Sequence, residues 1–344
     1  MPAPTAPAIR LDGTRVLLTG AAGFIGFHLA KALLAAGADV AGIDNLNDYY
    51  DPALKLARLA ALPKSERFVF EQLDVANGAD ILNLFDRVRP DVVIHLAAQA
   101  GVRYSIENPR AYTTANIEGF LSILEGCRAH PVRHLIYASS SSVYGANVKV
   151  PFHEDDPVNS PVSLYAATKR ANELMAQVYA HLYAVPASGL RFFTVYGPWG
   201  RPDMAYYSFA RSIMAGRPIE VFNRGQMRRD FTYIDDAVAA IVRLIDAPPD
   251  IAARKLDLAP SAPHIIYNIG NHTPVALDAF IAALEAALGR KAEKRYVGMQ
   301  PGDVPATFAD CERLSRVTGF QPSTPVEDGL ARFAAWFLAY HAKD

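Results

Sequence analysis

Cysteine is nearly missing from this chain: its 344 residues hold two, Cys127 and Cys311, and no Cys-x-x-Cys pair. That speaks against a disulfide framework or a zinc site and suits two structural thiols in a reducing cytoplasm. An excess of either charge is missing too. Lys and Arg number 34 against 35 Asp and Glu, so neither nucleic acid nor a membrane surface is an expected partner. Phosphate, if bound, must be recognised by local geometry rather than by an overall field. Long apolar runs are also lacking: the uncharged stretch Val16 to Ala30 is too short and glycine-rich to span a bilayer. Residues 1–13 begin without a basic segment followed by an apolar core and read as a flexible leader. No repeat is visible. What remains is 51% hydrophobic and 20% charged, enough for a soluble protein with one large or two moderate cores.

From about residue 15 to 191, short β-branched runs alternate with longer amphipathic ones. Strands are predicted at Arg15–Thr19, Asp39–Ile43, Asp91–Leu96 and Arg133–Tyr137, and helices at Phe24–Ala36 (stopped by Gly37) and Asn116–His130. Near-continuous apolar strands separated by helices imply right-handed crossovers and an α/β, doubly wound parallel sheet of the Rossmann type. After residue 191 the rhythm breaks at Gly197-Pro198-Trp199-Gly200-Arg201-Pro202. Helices at Tyr207–Ala215, Asp235–Ala247 and Leu277–Leu288 then mix with short strands. The expected division is 14–191 plus about 231–260 for the sheet unit, and 192–230 plus about 261–344 for a smaller mixed α/β unit.

Gly20-Ala-Ala-Gly23-Phe-Ile-Gly26 lies between the first strand and first helix. Glycines there let the backbone approach a pyrophosphate resting on the positive helix N-terminus. Asp44 ends the second strand, where a carboxylate meets the adenosine ribose. It would repel a 2′-phosphate, and no arginine follows it, which favours NAD over NADP. Asp74-Val75 falls where an adenine amino group finds an acceptor, and Leu96, Ala97 and Ala98 should line the cofactor. His95 reads as a packed core histidine.

Tyr165 and Lys169 stand at i and i+4, hence on one helical face. An ammonium there favours phenolate, so an oxygen that titrates near about 10 can serve as a base closer to neutrality. A polar run, Ser139 to Ser142, precedes the pair.

Together, the glycine turn, His95-Leu-Ala-Ala98, Ser139-Ser-Ser-Ser-Val-Tyr-Gly145, Tyr165-x-x-x-Lys169 and Arg191-Phe-Phe resemble the extended short-chain dehydrogenase/reductases over nearly the whole chain. Within them the chain looks most like NAD-dependent nucleotide-sugar epimerases. Gly42 to Asp51, Ala98 to Ser105, Arg229 to Asp236 and Pro301 to Pro305 are similar to segments of UDP-glucuronate 4-epimerases. The resemblance implies a catalytic set of Ser140, Tyr165 and Lys169. Further NAD contacts are implied at Phe24, Ile25, Asn45, Asn47, Gln99, Asn116 and Ala138, and UDP-sugar contacts at Arg103, Ser140, Ser141 and Ser142. In the second unit, Arg229 is a diphosphate clamp by the same resemblance, Arg201 a diphosphate or carboxylate contact, Phe222 a uracil platform, and Asp303 a ribose acceptor. It also implies a homodimer through helices near 108–130 and 162–184.

Dehydratases of the family carry Asp-Glu in the hydroxyl segment; here serines stand there, so water elimination lacks its acid and base. Thr194 replaces the Asn usual in UDP-galactose 4-epimerases and leaves room for a C6 carboxylate. The implied reaction is inversion at C4 of UDP-glucuronate, giving UDP-galacturonate through a 4-ketone. That ketone is a β-keto acid prone to lose carbon dioxide, and Ser141, Ser142 and Thr194 are candidates for restraining it. Three other readings stay open: C4 inversion of a neutral UDP-hexose, a UDP-glucuronate decarboxylase, and a non-catalytic NAD-sensing protein.

Overall fold

The protein was analysed as a computed structural model that describes residues 9–249, 262–298 and 306–342. Its centre is a parallel sheet of seven strands: β1 (Arg15–Thr19), β2 (Asp39–Asp44), β3 (Phe68–Gln72), β4 (Val92–His95), β5 (His134–Ser140), β6 (Ala187–Phe192) and a later strand, β10 (His264–Ile269). Their order across the sheet is β3-β2-β1-β4-β5-β6-β10, with every neighbouring pair parallel. The expected doubly wound fold is present.

Alternate residues of these strands point to opposite faces. Val16, Leu18 and Ile94 pack with α1 (Phe24–Ala35). On the opposite face, Leu17, Val93 and Leu135 pack with α3 (Gly78–Val88) and α6 (Gly119–Ala129), and α7 (Leu164–Tyr183) adds Ala176. A helix α2 (Pro52–Ala60), capped by Asp51, follows β2. The short α4 (Tyr104–Glu107) and α5 (Pro109–Tyr112) lead into a π-helical turn at Thr113–Glu118 before α6.

The second unit hangs from the end of β6. A three-stranded sheet is ordered β11-β9-β7, from β7 (Thr194–Tyr196), β9 (Arg228–Tyr233) and β11 (Pro274–Ala276). β8 (Ile219–Val221) pairs in parallel with β12 (Lys294–Tyr296). α8 (Ala205–Met214), α10 (Leu277–Leu288) and α12 (Val326–His341) cover these strands, with Phe231 stacked on Phe280 at 4.0 Å. α9 (Ile234–Leu244) returns to the large sheet, where its apolar residues share a core with α1, and α11 (Glu312–Thr318) lies beside it.

Two expected boundaries need correction. β10 lies in the stretch assigned to the second unit from about 261 on, yet it is the seventh strand of the parallel sheet, in register with β6 from Ala187 to Phe192. Its apolar run fits either unit, and only long-range pairing decides. The flexible leader, taken as 1–13, is too long: Leu11 is buried and its N–H donates to Ala36 O at 2.8 Å, so residues near it pack against the end of α1. Residues 1–8 lie outside the described residues. Among the described residues, no helix is long and apolar enough to cross a membrane.

Candidate active site

At the C-terminal ends of β1 to β5 the backbone forms a crest. Gly20 has a φ of +72°, and a Cβ on it would lie 2.8 Å from Ala97 N. A Cβ on Gly26 would collide with Gly20 O. Gly23 caps α1 with no side-chain hydrogen bond, so the first-turn amides of Phe24, Ile25 and Gly26 have no side-chain acceptor from the cap. A cradle with no room for side chains and a bare helix N-terminus fits a dinucleotide diphosphate. Gly26→Val is accordingly expected to abolish NAD retention, read as the 260/280 nm ratio and the NAD released on denaturing the purified protein.

Other expected cofactor residues sit along this crest. Asp44 accepts from Leu46 N at 2.9 Å and faces Lys55 Nζ at 3.8 Å. Lys55 is buried and donates to both oxygens of Asn47, each at 2.9 Å. Asn45 donates to Asp74 at 2.9 Å, which closes the group around the Asp44 carboxylate. Val75 lies just beyond β3, and Leu96, Ala97 and Ala98 just beyond β4. Thr19 Oγ1 accepts from Ala97 N and bonds His95 Nδ1 at 2.8 Å. Burial takes the His95 pKa down to about 3, with help from Lys169, so the ring is neutral packing material. Asn116 exchanges two hydrogen bonds with the backbone of Gln99 and a third with Thr168, tying the end of β4 to α7. Both its amide atoms are engaged within the protein.

β5 runs on to Ser140, three residues beyond its predicted end. The Ser140 hydroxyl accepts from Ser142 N, capping a 3₁₀ turn that holds Ser141 and Ser142 half-buried at the crest. Helix α7 starts at a Ser163 cap and brings Tyr165 and Lys169 to the same crest. Lys169 is buried, its Nζ donates to Ala138 O at 2.9 Å, and desolvation lowers its pKa to about 8. Burial raises the Tyr165 phenol above the usual tyrosine value; a hydrogen bond with Ser140 and the charge of Arg201 pull it down, while Asp203 opposes Arg201.

Arg201 arrives on the loop after β7 and chelates Asp203 through Nε at 3.1 Å and Nη2 at 2.8 Å, while Tyr49 donates to the same carboxylate. Thr194 opens β7, two residues beyond Phe192, the strand partner of Ser140. Arg103 stacks its guanidinium 5.0 Å from the Phe222 ring, bringing two expected substrate residues together. Arg229 is half-buried on β9. Asp303 lies outside the described residues.

Sequence reasoning missed several residues. Glu173, one turn after Lys169, receives Ser139 Oγ at 2.7 Å and a two-pronged Arg191 fork at 2.8 and 2.9 Å. Arg58 is fully buried and bonded across units. Lys55 and Arg58 look in the sequence like the solvated side of an amphipathic helix; their i,i+3 spacing was the available signal.

The sequence model of the NAD dependent epimerase/dehydratase family matches residues 16–270. The Protein CapI of Staphylococcus aureus is 51% identical over 96% of this chain and 100% of its own length. A probable UDP-glucuronate 4-epimerase of Rhizobium meliloti is 50% identical over 94% of this chain and 96% of its own length. Among solved structures, UDP-glucuronic acid 4-epimerase of Bacillus cereus, in complex with UDP-glucuronic acid and NAD, superposes with a TM-score of 0.84. It is 33% identical and covers 94% of this chain and 99% of its own. With the glycine cradle, the Ser140–Tyr165–Lys169 crest and a family match over most of its length, this chain belongs to the NAD-dependent epimerase/dehydratase family.

Proposed function

We propose that this protein inverts C4 of UDP-glucuronate, interconverting it with UDP-galacturonate, with NAD held in the Gly20–Gly26 cradle. The observation that carries this reading is the meeting of β5 and α7 at the crest: Ser140 lies beside the half-buried Tyr165, whose phenol it hydrogen-bonds, and Lys169 Nζ is pinned to Ala138 O one turn along. The chemistry NAD supplies when bound is reversible oxidation at C4. Tyr165 takes the C4 hydroxyl proton and gives it back after the ketone has turned its other face, while Ser140 orients that oxygen. Lys169, pinned by Ala138 O, holds the helix face and reaches the nicotinamide ribose. The relatives named above, and serines where a dehydratase has its acid pair, support the uronate reading. Ser141, Ser142 and Thr194 hold the C6 carboxylate, Arg229 and Arg201 the diphosphate, and Arg103 with Phe222 the uridine side.

Incubation of the purified protein with UDP-glucuronate and NMR of the product tests this. UDP-galacturonate is expected to accumulate to an equilibrium mixture with no net NADH. UDP-xylose, or an unchanged sugar, sinks the proposal, and preferential turnover of UDP-glucose would move it to neutral hexoses.

We further propose a cytoplasmic homodimer. Leu174, Val178 and Leu182 are exposed one turn apart along α7, with Leu121 of α6 also exposed. Such a stripe fits a second copy of the same two helices. The double variant Leu174→Glu/Val178→Lys is expected to run as a monomer by light scattering at a concentration where the parent is a dimer; equal masses for the two would refute the interface.

A further inference from the structure

Arg58 is an arginine with no accessible surface and, among the described residues, no carboxylate within ion-pair distance. A buried charge without an opposite charge is costly, so its partners explain its presence. Its N–H groups reach four neutral oxygens. Nη1 donates to Ala22 O at 3.0 Å and to Tyr50 Oη at 2.7 Å. Nε and Nη2 both donate to Trp199 O, at 3.0 and 2.7 Å, and Nη2 also reaches Gly200 O at 3.2 Å. Ala22 belongs to the glycine cradle; Trp199 and Gly200 immediately precede Arg201.

The same loop is held at two more points by the sheet unit. His28 on α1 bonds Pro198 O at 2.9 Å, so three consecutive carbonyls, 198 to 200, are bound by two side chains. Tyr49, from the segment after β2, donates to Asp203. Trp199 is in the left-handed region at φ +62°, a strained state for a tryptophan that persists only where its surroundings over-determine it. The nearby Asp44 charge already faces Lys55. A diphosphate in the cradle would therefore be the negative charge that answers Arg58, through the peptide at Ala22.

We propose that Arg58 is a positioning residue through which an occupied dinucleotide cradle fixes the loop that presents Arg201. This rests on reading that loop as the UDP-sugar side of the site. By linkage, tighter NAD binding and a better-ordered Arg201 loop are two faces of one coupling, and each strengthens the other.

The test is hydrogen exchange of segment 197–204 in the full-length protein, with NAD bound and after its removal, in the parent, Arg58→Gln and Arg58→Lys. NAD is expected to slow exchange of this segment about 10-fold in the parent. Arg58→Gln should lose that protection, retain NAD less well, and show a raised KM for the UDP-sugar with a smaller change in kcat. Arg58→Lys keeps the charge but cannot span Ala22, Trp199 and Gly200 from one nitrogen, so NAD retention recovers only in part while loop protection stays low. Equal NAD-dependent protection in the parent and Arg58→Gln overturns the proposal, as does no protection in the parent. If Arg58→Gln does not fold, the parent and Arg58→Lys decide in the same way. The readout needs no sugar, so protection without turnover of UDP-glucuronate would uphold Arg58's role and sink the substrate reading instead.

Discussion

Tyr165→Phe is expected to cut kcat by about 10³-fold while NAD stays bound and the melting temperature barely moves. In the proposed reaction the phenol oxygen takes and returns the C4 proton, and its ring is anchored independently of it. Tyr112 lies edge-on to that ring at 6.1 Å and is fixed by its own hydroxyl to Ala100 O. Removing one oxygen therefore deletes the base and leaves the packing. The kcat of the variant with UDP-glucuronate, alongside NAD content after gel filtration, checks this. A variant within a few-fold of the parent would take the base role away from Tyr165. Because burial raises the phenol and Ser140 lowers it, Ser140→Ala should shift the acidic limb of the kcat/KM profile, where the base becomes deprotonated, upward in pH as well as reduce the rate.

The second large effect falls on stability. Glu173→Gln is expected to destabilise the protein by about 3–5 kcal/mol, the range for removing one member of a buried ion pair. Both partners are almost wholly enclosed, and Arg191 would be left with a buried charge facing an amide. Burial opposes the Glu173 carboxylate, but the Arg191 fork and the Ser139 hydroxyl prevail and hold its pKa below the usual 4.5. The sign follows. A depressed carboxylate contributes stability that is complete above the unfolded value and is lost as pH falls through the folded one. The gap in melting temperature between parent and variant should thus be widest near neutrality and shrink below about pH 4.5. A gap that is constant from pH 7 to 4 would show that the pair contributes no charge-dependent stability. Since Ser139 precedes Ser140, the variant should also lose turnover at temperatures where it is folded.

The elements that were legible in the sequence are those whose cause is local. β1 and α10 fall where they were expected, because each is a short periodic run bounded by turn or cap residues. The glycine turn was legible because only glycine tolerates the approach of Ala97 to Gly20. Tyr165 and Lys169 were legible because four residues of helix fix their separation. Contacts that join distant segments were not. Whether β10 edges the large sheet depends on hydrogen bonds to a strand some 80 residues earlier. Arg58 was not picked out because its i,i+3 spacing from Lys55 does not tell an exposed cation from one that meets carbonyls over a hundred residues away. The resemblance implies a cofactor contact at Asn116, yet its amide braces the crest, a use that spacing alone does not separate from cofactor contact.

The placement of β10 beside β6 has an evolutionary corollary. The chain leaves the sheet at Phe193, whose N–H donates to Ile269 O, and rejoins it at Pro263, whose carbonyl accepts from Ala187 N. Everything between departs from and returns to one pair of adjacent strands, and it carries Thr194, Arg201, Phe222 and Arg229. The proton-handling residues lie wholly upstream, on β5 and α7. Selection can thus rewrite the loops of that excursion that carry these residues while β5 and α7 are inherited unchanged.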